Sequence, residues 1–333
     1  MTTAILALLL FCIMIFPHEL GHFLAAKRMG VKVNEFSFGM GPAIWKKQGE
    51  ETLYSIRLFP IGGYCAMEGE DENSDSPRAF VNKKPWQKLI VLAAGSFMNV
   101  LCAFLIMIVV LGFLGFTTTT IDHVEPGSPA EVAHLMEGDV VKQIDDYEIK
   151  NWNEVSVAFN AAKGAESSVI IERHGELETL KVTPTLNEDG RYLVGVTCKV
   201  SHSPATAVVE GAKATINMTI NLFITIGQLF TGGLGVSDLS GPVGMVQMVN
   251  ETATMGLWYY GFLTAMICMN LAIINMLPLP ALDGGRIIFV LITMITGKEV
   301  SPKIEGAVHF VGIMLLFGLM IYVSFNDVIR IFG

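Results

Sequence analysis

The chain has 333 residues, of which 52% are hydrophobic and 16% charged, with a mean hydropathy of +0.52. That balance argues against an ordinary soluble enzyme and places much of the chain in lipid, while a formal net charge of −9 argues against nucleic acid as a partner. The five cysteines are scattered and form no C-x-x-C, which disfavours both a disulfide framework and a thiolate zinc site.

Residues 3–26 are almost wholly apolar, long enough to span a bilayer, and without the basic start or small-residue cleavage site of a signal peptide. We read 1–26 as a retained first transmembrane helix. Inside it lies PHELGH, 17–22. His18 and His22 are four residues apart and so share one helix face, with Glu19 beside them. This is the H-E-x-x-H pattern, in which two imidazoles bind Zn²⁺ and the glutamate is the general base. Ionisable groups at membrane depth are costly and mark function.

The segment 27–87 reads as a polar loop containing an apolar stretch, LYSIRLFPIGGYCAME. Two short strands around Pro60, Gly62 and Gly63 are expected there, forming a hairpin at about 53–70. Trp86, set among basic residues, is an interfacial anchor pattern preceding a second span at 88–115. Residues 116–200 are the one soluble-looking domain. β-rich runs (TTTTIDHV, DVVKQID, SSVIIERHG, ETLKVTP, YLVGVTC) alternate there with helices near 128–135 and 153–162. The connector 201–256 carries Glu210, Lys213 and several polar residues within an apolar run at 205–232, which suits an amphipathic helix on the membrane surface.

A third span is expected over 257–283, running into NMLPLPALDGGR, and a fourth within 284–333. The two prolines break the helix, as is tolerated where backbone lines a protein-enclosed cavity. Asp283 is a candidate third metal ligand, since a catalytic zinc takes three protein ligands and an open position. It is equally placed to cap the helix that follows. His309 in the fourth span is the rival ligand, or a hydrogen-bonded packing residue.

Basic residues orient the chain. Lys27, Arg28, Lys32, Lys46, Lys47, Lys83, Lys84 and Lys88 lie between the first two spans, and Arg286, Lys298 and Lys303 between the last two. Both loops are therefore expected in the cytoplasm, with both termini and the 116–200 domain outside it.

HELGH together with NMLPLPALDGG resembles the site-2 protease family of intramembrane zinc metalloproteases, along nearly the whole chain. FSFGMGP, RLFPIGGY, AGSFMN and LSGPVG resemble further segments of its bacterial regulator-of-sigma group, with Ser96 where that group commonly has proline. GSPAEVAHLMEGDVVKQIDDYEI resembles a PDZ domain, in a single copy. The resemblance implies a polytopic α-helical membrane protein of about four transmembrane helices, with a membrane-reentrant β-hairpin and an inserted extracytoplasmic α+β PDZ domain. It implies His18, His22 and Asp283 as ligands of Zn²⁺ and Glu19 as general base and acid. It also implies Asn275, Gly62 and Gly63 as substrate-binding positions. A bacterial inner-membrane enzyme is expected, cutting single-pass membrane proteins such as anti-sigma factors and remnant signal peptides within the bilayer. Two other readings fit fewer of these residues: a zincin cutting outside the bilayer, and a PDZ-bearing scaffold with a vestigial metal site.

Overall fold

A computed structural model describes residues 2–70, 74–187, 190–235, 239–298 and 300–332. Helix α1 (Thr2–Arg28) is followed by strands β1 (Val33–Gln48) and β2 (Leu53–Met67) and by helix α2 (Pro85–Leu114). Next come β3 (Phe116–Val124), α3 (Pro129–Val132), β4 (Val140–Ile144), β5 (Tyr147–Glu148) and α4 (Trp152–Ala162). They lead to β6 (Ser167–Arg173), β7 (Glu176–Val182), β8 (Thr185–Leu186), β9 (Tyr192–Leu193) and β10 (Val196–Ser201). The chain continues as α5 (Pro204–Thr231), α6 (Pro242–Met255), α7 (Leu257–Met276), α8 (Asp283–Thr296) and α9 (Pro302–Phe332).

Among the described residues four helices are long and apolar enough to cross a membrane: Thr3–Arg28, Pro85–Leu114, Leu257–Met276 and Lys303–Arg330. The shortest has 20 residues and rises about 30 Å, the thickness of the hydrocarbon core. These helices turn large apolar side chains outward, such as Phe97, Phe113, Phe310, Leu315 and Ile321. Lipid, not water, is the solvent that tolerates such a surface. The chain is a multi-pass membrane protein. Helix α5 is not among the four.

Residues 111–210 form one compact unit, and 1–110 with 211–333 form another. In the first, a sheet of order β10-β3-β4-β6-β7, with β5 beside β4, packs with α4 around Ile121, Ile144, Phe159, Val169 and Ile171. The expected β-rich runs and helices recur there, but the first helix is only Pro129–Val132 and the short strands β5 and β8 lie outside those runs. YLVGVTC is divided between β9 and β10 at Gly195, whose φ of +78° turns the chain.

In the second unit α1 packs on α6 and α7 through Ala7, Leu10, Val249, Tyr260 and Leu263. The hairpin departs from expectation. LYSIRLFPIGGYCAM does not fold on itself; it is one strand, β2, paired with β1. Phe36 stands opposite both Cys65 and Tyr54, and Ser37 opposite both Tyr64 and Ser55, so the first half of β1 lies between the two halves of a bent β2. Pro60 and Gly62 (φ +94°) make that bend and not a tight turn. Arg57 locks the arrangement by donating to Glu35 Oε1 (2.7 Å), to the Gly41 carbonyl (2.7 Å) and to the Tyr64 hydroxyl. The third span is also shorter than the expected 257–283. Helix α7 ends at Met276, because Pro278 and Pro280 cannot supply the amide hydrogens that a continuing helix needs.

Candidate metal centre

His18 and His22 project from one face of α1, one turn apart, each 7% exposed. Their Nε2 atoms are 3.2 Å apart, with the ring planes at 86°. His22 Nδ1 lies 2.9 Å from the Val91 carbonyl on α2. A carbonyl only accepts, so Nδ1 carries the proton and the Nε2 lone pair is left facing inward.

Two glycines let α2 come this close. A Cβ on Gly95 would fall against His22 Nε2 and within 2.8 Å of the His18 ring, and one on Gly21 would strike the Ala94 backbone and Met98. The glycine of HELGH is thus a helix-packing position, as small residues commonly are between membrane helices.

The third donor comes from the break after α7. The chain passes Leu277–Leu282 and re-enters a helix at Asp283, with Leu282 at the N-cap and no side-chain cap. Gly284 and Gly285 let α8 fold tightly under this turn, since a Cβ on either would overlap the carbonyls of Met276, Leu277 or Leu279. The Asp283 carboxylate is turned away from capping. Its Oδ2 lies 3.3 Å from His18 Nε2 and 3.4 Å from His22 Nε2.

These three donors are the one His/Cys/Asp/Glu group among the described residues with ligand atoms close enough for a single ion. In a tetrahedral site with bonds of about 2.0–2.1 Å, ligand atoms stand about 3.3 Å apart. The donor spacing therefore fits Zn²⁺, as does a set of two imidazoles and one carboxylate. Asp283 Oδ2 is buried and, among the described residues, accepts no hydrogen bond. His309, the rival ligand, is not in the group; its Nδ1 meets the Ala281 backbone at 2.9 Å.

Glu19 follows His18 and lies within electrostatic reach of both histidines and Asp283. Strand β2 runs beside it, and a Cβ on Gly63 would come within 3.3 Å of Glu19 Cγ. Asn275, in the last turn of α7, places Nδ2 3.3 Å from His18 Nε2. Gly62 packs against Met40 across the hairpin. Sequence reasoning missed Gly21, Gly95, the Val91 carbonyl and the ion pair between Arg286 and Glu70, which ties the end of β2 to α8. Gly95 had a signal in the AGSFMN segment; the others depend on contacts between distant parts of the chain.

Two imidazoles and a carboxylate thus converge among apolar helices with a glutamate alongside, the donor set of a metallopeptidase. A profile of peptidase family M50 matches residues 6–319. The chain belongs to that family, the site-2 protease family, and is a metalloprotease. It is 38% identical over 334 residues to a Clostridium perfringens chain named as a candidate zinc metalloprotease, covering 98% of each. It is 30% identical to the zinc metalloprotease RasP of Oceanobacillus iheyensis and 28% identical to that of Shouchella clausii, covering 100% of each chain. Among solved structures, the PDZ domain of an SdrC-like protein from Listeria innocua aligns at 20% identity and a TM-score of 0.23, covering 26% of this chain and 97% of that one.

Proposed function

We propose that this protein is a zinc endopeptidase that cuts single-pass membrane proteins within the bilayer, with His18, His22 and Asp283 as the metal ligands. The observation that carries the reading is the meeting of three donor atoms within 3.4 Å on two elements of an apolar helical unit. When bound, Zn²⁺ supplies Lewis acidity toward a carbonyl and toward water. Glu19 takes the proton of the attacking water and delivers it to the leaving amine. Asn275, beside His18, donates to the substrate backbone or to the developing oxyanion.

A helical substrate hides its carbonyls in its own hydrogen bonds, so it must be unwound before it is cut. The half of β2 that contains Gly63 pairs with β1 on one side only among the described residues, and it passes Glu19. An extended substrate adding to that edge would lie along the metal centre. In this reading the hairpin is membrane-reentrant, and Gly62 and Gly63 leave room for the substrate backbone.

In this reading the basic loops face the cytoplasm of a bacterial cell, the metal centre lies toward that side of the inner membrane, and the 116–200 domain and both termini lie outside the cytoplasm. The 116–200 domain is PDZ-like and acts as a filter that admits substrates already trimmed outside the cell. Its 430 Å³ cavity, lined by Val155, Phe159 and Val194, is where a chain end would be sampled. In this reading the protein's substrates are anti-sigma factors and remnant signal peptides.

The test is mass spectrometry of the products from a model single-pass substrate, with Glu19→Gln as control. We expect new ends inside the hydrophobic segment, and Glu19→Gln should slow turnover by about 10²–10⁴-fold while zinc stays bound. Ends outside that segment would make the protein a surface zincin. Absence of cleavage by zinc-loaded wild type would overturn single-pass membrane proteins as its substrates.

A further inference from the structure

Ala281 lies in the left-handed region, with φ +75°, two residues before Asp283. A side chain is strained there, and such a conformation persists only where its surroundings hold it. The surroundings are α9. His309 Nδ1 accepts the Ala281 backbone hydrogen at 2.9 Å, and the His309 side chain is only 13% exposed.

One turn along the same face, Gly312 lies flat against Pro280. A Cβ at Gly312 would come within 2.7 Å of the Pro280 carbonyl carbon and oxygen. Two independent contacts from α9 thus press on consecutive residues of the turn that presents the carboxylate. His309 thus stands outside the group of close metal donors and is a hydrogen-bonded packing residue against that turn.

We propose that His309 is a positioning residue for the metal centre, holding the Pro280–Leu282 turn so that the Asp283 carboxylate meets His18 and His22. The inference rests on the reading of Asp283 as a ligand. A backbone amide held in this turn must keep an acceptor, and here His309 supplies it. Without His309 the turn would leave the left-handed conformation, and the carboxylate at its end would move with it. Outer partners of metal ligands typically account for about 10–100-fold in metal affinity.

The experiment uses the full chain in lipid nanodiscs and follows zinc loss to a competing chelator, with kcat and KM on a transmembrane peptide as a second readout. His309→Leu should weaken zinc retention by at least about tenfold and lower kcat with KM little changed. His309→Asn should stay close to wild type, because its amide oxygen can stand where Nδ1 stands. Adding Ala281→Gly to His309→Leu should recover part of the loss, since glycine adopts φ +75° without strain.

Asp283→Ala separates this inference from the one beneath it. If Asp283→Ala loses zinc while His309→Leu keeps it, the positioning role is overturned and the ligand assignment stands. If Asp283→Ala keeps zinc, the ligand assignment itself falls. Equal zinc loss in His309→Asn and His309→Leu would also overturn the positioning role, because packing alone does not need an acceptor. Should His309→Leu fail to reach the membrane, His309→Ala is read by the same criteria.

Discussion

Within 116–200 the buried interior is mostly apolar, with Ile121, Ile144, Val169, Ile171 and Phe159 filling the space between the sheet and α4. Around the metal centre the buried set includes His18, His22, Ser37, Ser55, Ser96 and Asn99. The difference follows from the solvent. A water-exposed domain is held by removing apolar surface from water. Helices in lipid gain nothing that way, because lipid tails are as apolar as leucine, so they associate through close backbone approach and polar contacts. The same protein therefore uses glycine and histidine in one region where it uses isoleucine and phenylalanine in the other.

The largest test of this contrast is Gly95→Val. Its added atoms would occupy the space of both imidazoles. We expect complete loss of bound zinc and of cleavage, with the 116–200 domain unaffected in hydrogen exchange. A variant that kept its zinc would show that the approach of α2 does not build the site. The converse is Phe159→Ala, which opens a cavity in the apolar core of the domain. Truncations of this kind cost about 3–5 kcal/mol. Hydrogen exchange of β6 and α4 in the intact chain should rise accordingly, while zinc content stays at one per chain.

How much of this was legible beforehand follows the range of each signal. HELGH and the broken helix before Asp283 are local patterns, and so are the short strands and turns of 116–200. The hairpin was not legible. Pro60 and Gly62–Gly63 have the composition of a turn, yet they mark a bend in one strand whose partner, 33–48, lies some twenty residues upstream. His309 on an apolar helix offers no local sign of whether it binds metal, packs or holds a distant amide. Asn99 gives no local sign either that it is fully buried with neither amide atom hydrogen-bonded among the described residues.

The finest version of the comparison lies in two helix starts. Helix α4 begins in the water-exposed domain with a local capping box: Asn151 accepts from the Glu154 amide at 3.2 Å, and Glu154 reaches back to the Asn151 amide at 3.3 Å. Helix α6 begins in the membrane unit at Gly241, which has no side chain to offer. There Asp327 of α9, 1% exposed, accepts from the Gly241 and Gly244 amides at 2.9 and 2.8 Å. Its negative charge also suits the positive end of the helix. Where water is excluded, the cap is imported from far along the chain. Asp327→Ala should thus cost about 2 kcal/mol, the upper end of the range for a lost cap, because no water replaces the carboxylate. Asn151→Ala should cost about 1 kcal/mol, confined to fraying of the first turn of α4. Hydrogen exchange at the two helix starts in the intact chain measures both. Equal effects would mean that the solvent around the cap does not set its worth, and the contrast between the two regions would lose its physical basis.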